Sequence, residues 1–129
     1  MATIELGLDN FESTITDNDI VLIDFWADWC GPCKMFGPVF EKASVAHPGV
    51  VFAKCDTEKE RDLASHFGIR SIPTLAIFRE RVLLFSQAGA LPAAALDEII
   101  GQVKALDMAE IHAKIAADSE EGNEAANSN

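Results

Sequence analysis

Positive charge is scarce in this sequence: 10 Lys and Arg stand against 21 Asp and Glu, for a formal net charge of -11. Such a chain repels the phosphate backbone that supplies most nucleic-acid affinity, so no nucleic-acid partner is expected. Long apolar runs are also lacking. The runs Ile20 to Ile23 and Val82 to Phe85 fall far below the roughly 20 residues that cross a bilayer, and no membrane role is expected. The opening residues MATIELGLDNFES carry acids where an export signal carries bases, and their apolar positions never join into a run. The expectation is a cytoplasmic protein. No segment repeats. Cysteine is limited to 3 residues, while 49% of the 129 residues are hydrophobic, so one domain can build its core without disulfide staples. The cysteines are therefore free for chemistry. In a reducing compartment a Cys-x-x-Cys pair is catalytic or metal-binding rather than structural.

Two of the three cysteines stand in Trp29-Cys30-Gly31-Pro32-Cys33-Lys34. A tetrahedral metal site would need further ligands, because structural zinc usually takes four. Cys55, His47, His66 and His112 are the only other Cys or His residues, and none has a partner at ligand spacing. No metal is expected, and the pair reads as a redox dithiol. Cys55 ends an apolar segment, where cysteine behaves as a small hydrophobe.

The surrounding pattern is that of an α/β protein. Asp9 to Glu12 reads as an acidic cap opening a first helix through Phe11 and Ile15. Ile20 to Trp26 is almost unbroken in apolarity, the pattern of a strand covered on both faces. After the cysteine pair, Phe36, Val39, Phe40 and Ala43 recur at helical spacing until His47-Pro48-Gly49 stops the helix. Val50 to Cys55 is a second strand, which completes a β-α-β unit with the dithiol at its first strand-to-helix junction. Glu58 to Phe67 is expected to be helical with Gly68 as its left-handed cap. Thr74 to Phe78 and Val82 to Ser86 then form an antiparallel hairpin joined through Arg79-Glu80-Arg81. Leu96, Ile99, Ile100 and Val103 make the stripe of a late helix, with further helical signal at Met108, Ile111 and Ile115. From Asp118 the chain has no large apolar residue and is expected to be disordered.

Gly31 permits a sharp turn from strand to helix, and Pro32 fits a first helical turn because its missing donor is not needed there. Cys30 is thereby placed at the helix N-terminus. Backbone donors and the helix dipole favour a thiolate at that point, and the thiolate is the nucleophile of disulfide exchange. Cys33, one turn further in, is expected to be the more buried and to resolve the mixed disulfide that an exposed Cys30 forms with a substrate. The neutral Gly-Pro spacer suits a reducing couple, so the expected activity is that of a reductase. Asp24 interrupts the apolar strand. A carboxylate so placed should have a raised pKa, which makes it a candidate to take the proton of Cys33.

DFWADWCGPCKMFGP, together with Lys54, GIRSIPT at 68 to 74 and Gly89-Ala90, closely resembles the thioredoxin family over about residues 4 to 106. The resemblance implies the thioredoxin fold: a single α/β domain with a central mixed β-sheet flanked by helices. It implies nucleophilic Cys30, resolving Cys33, and Lys54 beside a buried Asp24. Pro73 matches the family's cis-proline. Trp29, Gly31, Pro32, Ile72, Pro73, Ala88 and Gly89 correspond to an apolar surface that receives the substrate segment. Disulfide-containing client proteins are implied as substrates, and an NADPH-dependent flavoenzyme, thioredoxin reductase, as the partner that recharges the dithiol. No bound cofactor is expected, and the chain is expected to be a monomer. Two other functions share these features: a binding module that uses the same fold and surface, and a dedicated electron donor to one partner enzyme. The expected organisation is a thioredoxin domain over 1–106, a helical extension over 107–117 and an acidic disordered tail over 118–129. The hairpin departs from the family, whose turn usually runs through Asn-Gly. Here a non-glycine residue is expected to take positive φ, or the turn to differ.

Overall fold

The computed structural model describes residues 2–127, with side chains described as far as Glu120. In chain order the elements are β1 (Thr3–Glu5), α1 (Phe11–Asp17), β2 (Ile20–Trp26), α2 (Gly31–Ala46), β3 (Val51–Asp56), α3 (Arg61–His66), β4 (Thr74–Arg79), β5 (Val82–Ala88), α4 (Ala93–Ala105) and α5 (Met108–Asn127). The strands form one five-stranded sheet in the order β1-β3-β2-β4-β5. β1, β3 and β2 run parallel, whereas β4 and β5 are antiparallel to their neighbours, so the sheet is mixed as expected.

The central strand β2 is buried from Ile20 to Phe25 because its side chains feed two cores, one on each face. Strand periodicity sends Leu22 to one face, with Phe36, Phe40, Phe52, Leu75, Ile77, Leu96 and Ile100 under α2 and α4. Val21, Ile23 and Phe25 go to the other, with Ala53, Leu63 and Ala76 near α1 and α3. Burying an aromatic or branched side chain in such a core contributes about 1.5–3 kcal/mol. Truncating fully buried Phe40 to Ala would cost about 3–5 kcal/mol.

Several local expectations change. β1 carries no periodic signal in the sequence; its three residues pair with Phe52 to Lys54 of β3. α1 is preceded by Asn10 and has no side-chain cap, which corrects the acidic cap read at Asp9. The Asn10 amide instead accepts from Gly7 N at 2.7 Å and donates to Glu5 O at 2.9 Å, tying the loop together. α3 starts at Arg61 rather than near Glu58, because Asp56 Oδ1 accepts the Glu58 N–H at 2.9 Å and holds that segment as a turn. Gly68, at φ 63°, ends α3. Its N–H reaches Ser65 O and that of Ile69 reaches Ala64 O, the paired bonds of a Schellman motif.

The β4–β5 turn places two non-glycine residues at positive φ, Glu80 at 50° and Arg81 at 67°. Both central positions are left-handed, as the type I′ hairpin turn demands. The Glu80 N–H donates to Asp19 O at 2.8 Å, which anchors the turn to the start of β2. Beside it, Arg79 Nη1 donates to the carbonyls of Val103, Lys104 and Leu106 at 2.9, 3.2 and 3.1 Å, capping the end of α4. α5 then begins with Met108 buried, and His112 Nε2 lies 3.1 Å from Glu80 Oε1. Its helix runs to Asn127, beyond the expected helical segment and into the stretch expected to lack structure. Its sequence there is rich in Ala and Glu, which favour helix locally.

Candidate active site

Cys30 is the N-cap of α2 and Pro32 lies in its first turn. Cys30 and Cys33 are joined as a disulfide with their Cα atoms 5.3 Å apart. The Cys33 N–H points at Cys30 Sγ over 3.2 Å, so a backbone donor faces the sulfur expected to be nucleophilic. One expectation is corrected: Cys30 is not the exposed member of the pair. It is 4% exposed and Cys33 is 5% exposed. From across the site the Ile72 carbonyl oxygen lies 3.5 Å from Cys30 Sγ. The two sulfurs differ in surroundings rather than in exposure.

Around Cys30 the surface is open. Trp29 is 70% exposed, and Gly31 and Pro32 are exposed beside it. The Ile72–Pro73 peptide is cis. Pro73 is buried, and its carbonyl accepts the N–H of Gly89 at 2.8 Å, which fixes the end of β5 against the proline. Gly89 has φ 113°, a value that a side chain would strain. Ala88 pairs with Thr74 in the ladder and is exposed, as is Gly89. Trp29 and Ile72 also line an open cleft of about 610 Å³.

Cys33 lines a cleft of about 250 Å³ together with Trp26, Gly37, Glu41 and Lys54. Beneath α2 lies Asp24, 1% exposed. Neither of its carboxyl oxygens has a hydrogen-bond partner among the described residues. Burial pushes its pKa up to about 7, with Lys54 pulling the other way. Lys54 stands opposite Asp24 in the β2–β3 register. Its ammonium, however, lies 3.9 Å from Glu41 Oε1 and 5.2 Å from the centre of the Trp26 ring.

Two acidic residues near the site carry no mark in the sequence. Glu41 is the ion partner of Lys54. Glu58 Oε1 accepts from Trp29 Nε1 at 2.8 Å, and its Oε2 meets Arg61 Nη2 at 3.3 Å. The Trp29 bond, with help from Arg61, holds the Glu58 carboxyl below its ordinary pKa. Cys55 is fully buried. Burial first, and then the carboxylates of Glu60, Asp56 and Asp24, push its thiol up to about 12, which makes it inert. Two of the three histidines bond elsewhere: His47 to Asp97 and Lys104, His112 to Glu80. Among the described residues no group of three or more His, Cys, Asp or Glu is placed to hold a metal. No described helix is long and apolar enough to cross a membrane.

A disulfide at a helix N-terminus, with the carbonyl that precedes a cis-proline 3.5 Å from one of its sulfurs, is an arrangement that can exchange disulfides. Comparison with known proteins agrees. The Thioredoxin family profile matches residues 2–102. A Streptomyces coelicolor protein named "Putative thioredoxin 2" is 59% identical over 115 residues, covering 89% of this chain and 86% of the relative. The thioredoxin of Haemophilus influenzae is 40% identical, over 72% of this chain and 89% of its own. Among solved structures, a mutant thioredoxin from Halobacterium salinarum superposes with a TM-score of 0.74 at 35% identity, covering 81% of this chain and 91% of that one. The chain belongs to the thioredoxin family of disulfide oxidoreductases, and Cys30 and Cys33 are its redox pair.

Proposed function

We propose that the protein is a cytoplasmic protein-disulfide reductase in which Cys30 attacks the client, Cys33 resolves the mixed disulfide and Asp24 accepts the proton of Cys33. The observation that carries this reading is the Cys30–Cys33 disulfide at the start of α2, in a domain whose central strand buries the Asp24 carboxylate without a hydrogen-bond partner among the described residues. In the reduced protein the Cys30 thiolate attacks one sulfur of a client disulfide. A Cys30–client disulfide forms, and the other client sulfur leaves as a thiolate. The Cys33 thiol then passes its proton to Asp24, and its thiolate attacks Cys30 Sγ. The Cys30–Cys33 bond forms, the second client sulfur departs, and two electrons have moved to the client. Lys54 tunes the carboxylate that takes the proton.

The surface made by Trp29, Gly31, Pro32, Ile72, Pro73, Ala88 and Gly89 receives the client as an extended segment. Its small exposed residues allow close backbone approach. The resulting disulfide is reduced again by a thioredoxin reductase that draws on NADPH. The protein acts as a monomer and needs neither nucleic acid nor a membrane. A reducing couple and a free thiol at Cys55 suit the cytoplasm. Residues 1–106 form the catalytic unit, with 107–117 as an extension and 118–129 as a tail that takes no part in exchange.

Turnover of insulin disulfides with NADPH and a thioredoxin reductase tests this function. Sustained turnover that is lost in Cys30→Ser is expected. Reduction confined to one partner enzyme would favour a dedicated electron donor, and binding without reduction would favour a binding module. Deleting 118–129 should leave turnover unchanged; loss of activity would make the tail a docking element.

A further inference from the structure

By charge alone, the ammonium of Lys54 should rest on Asp24, its partner across the β2–β3 ladder. It rests elsewhere. Nζ is 3.9 Å from Glu41 Oε1 and lies over the Trp26 ring, while among the described residues neither Asp24 oxygen has a hydrogen-bond partner. Glu41 projects from α2, about two helical turns beyond Cys33, and lines the same cleft as Cys33. We propose that Glu41 is a positioning residue for the exchange reaction: it holds Lys54 at the cleft and keeps the ammonium off Asp24, so that this carboxylate can accept the proton of Cys33.

Two opposed effects act on Asp24. An ammonium within about 4–6 Å lowers a carboxyl pKa by about 1–3 units, which would leave Asp24 ionised but a poor base toward a thiol. Burial acts against ionisation, and it dominates here: the carboxyl is raised to about 7 despite Lys54. Glu41 tips that balance by giving the ammonium a second anion. The titratable groups around the cleft are Cys33, Lys34 and Glu41 from α2, Lys54 from β3 and Asp28 from the loop after β2. β4 presents apolar Leu75 opposite Asp24. Lys34 and Asp28 are exposed and screened by water, so Lys54 is the cation whose placement matters and Glu41 the anion that sets it.

The inference rests on Asp24 being the proton acceptor, and the test separates the two claims. Titration of the Asp24 carboxyl by 13C NMR would be measured in the parent, Glu41→Gln, Lys54→Met and the double variant, beside the pH profile of single-turnover reduction. In Glu41→Gln the freed ammonium should move the Asp24 midpoint, and the acid limb of the rate profile, down by about 0.5–1 pH unit. Glu41→Ala should shift both in the same direction. In the Lys54→Met background the Glu41 substitution should shift neither. A midpoint that stays or rises in Glu41→Gln would overturn the proposal. So would an equal downward shift without Lys54, since Glu41 would then act directly. A moved titration with an unmoved rate profile would overturn Asp24 as the acceptor and leave the hold of Glu41 on Lys54 standing.

Discussion

Trp29 donates its indole N–H to Glu58 over 2.8 Å, and this single bond spans 29 residues of sequence. It ties a ring that is 70% exposed to the loop ahead of α3, which restrains the ring beside the disulfide. Glu58→Ala should free it. The KM for a protein disulfide should rise about two- to fivefold, the loss expected for one exposed hydrogen bond, with kcat and the reduction of a small aromatic disulfide unchanged. Steady-state kinetics with both substrates check this. An equal loss on both would place Glu58 in the chemistry instead.

Cys33→Ser should convert the protein into a trap. Cys30 can still form the mixed disulfide, but no second thiol releases it. Mass spectrometry of the adducts should find client sulfur on Cys30 and none on Cys55, which is fully buried with its thiol pushed up to about 12.

Asp24→Asn should be more stable and slower than the parent. Burial raises the folded-state pKa from 3.8 to about 7, so between those values the native state holds a proton that the unfolded chain has lost. Stability therefore falls as pH rises through that window, by an amount that at neutral pH is on the order of 3–4 kcal/mol. Asn removes the charge and keeps the shape. Urea unfolding at pH 7 should show the gain, and it should vanish near pH 3, where Asp is protonated in both states. Single-turnover reduction should slow by about 10²-fold or more, the usual loss when a positioned base is removed.

Arg79→Ala should cost stability without touching exchange. The guanidinium bonds three carbonyls at the end of α4, and hydrogen bonds to a charged group contribute about 1.5–3 kcal/mol. Thermal melts should show the loss, while turnover at 25 °C stays at the parent level. A drop in turnover of the folded variant would mean that the two ends of the sheet are coupled.

Where the sequence is legible, an unbroken physical pattern carries the signal. β2 reads as doubly covered because both faces are apolar, and Asp24 stands out against that background. α2 reads from its stripe, and the Gly-Pro spacer places Cys30 at its start. The illegible parts depend on contacts between distant residues. β1 is three residues that become a strand only by pairing with β3. α3 begins late because one Asp56 oxygen captures a neighbouring N–H. The Ile72 carbonyl that approaches Cys30 Sγ comes from 42 residues away. Glu41 and Glu58 look like ordinary surface acids until the fold brings Lys54 and Trp29 to them. A positive φ at the hairpin is legible because Arg79-Glu80-Arg81 stands where Asn-Gly is usual, but its spread over both Glu80 and Arg81 is not.

The antiparallel register that sets Ile20 against Arg79 and Phe25 against Thr74 gives the sheet two ends about 20 Å apart. The disulfide sits past one end; Asp19, Glu80 and the start of α5 gather at the other. For anyone building with this protein, the second end is a handle. A tether attached at exposed Arg81 would fix the molecule to an electrode or resin with its sulfur chemistry facing the solution, every copy oriented alike.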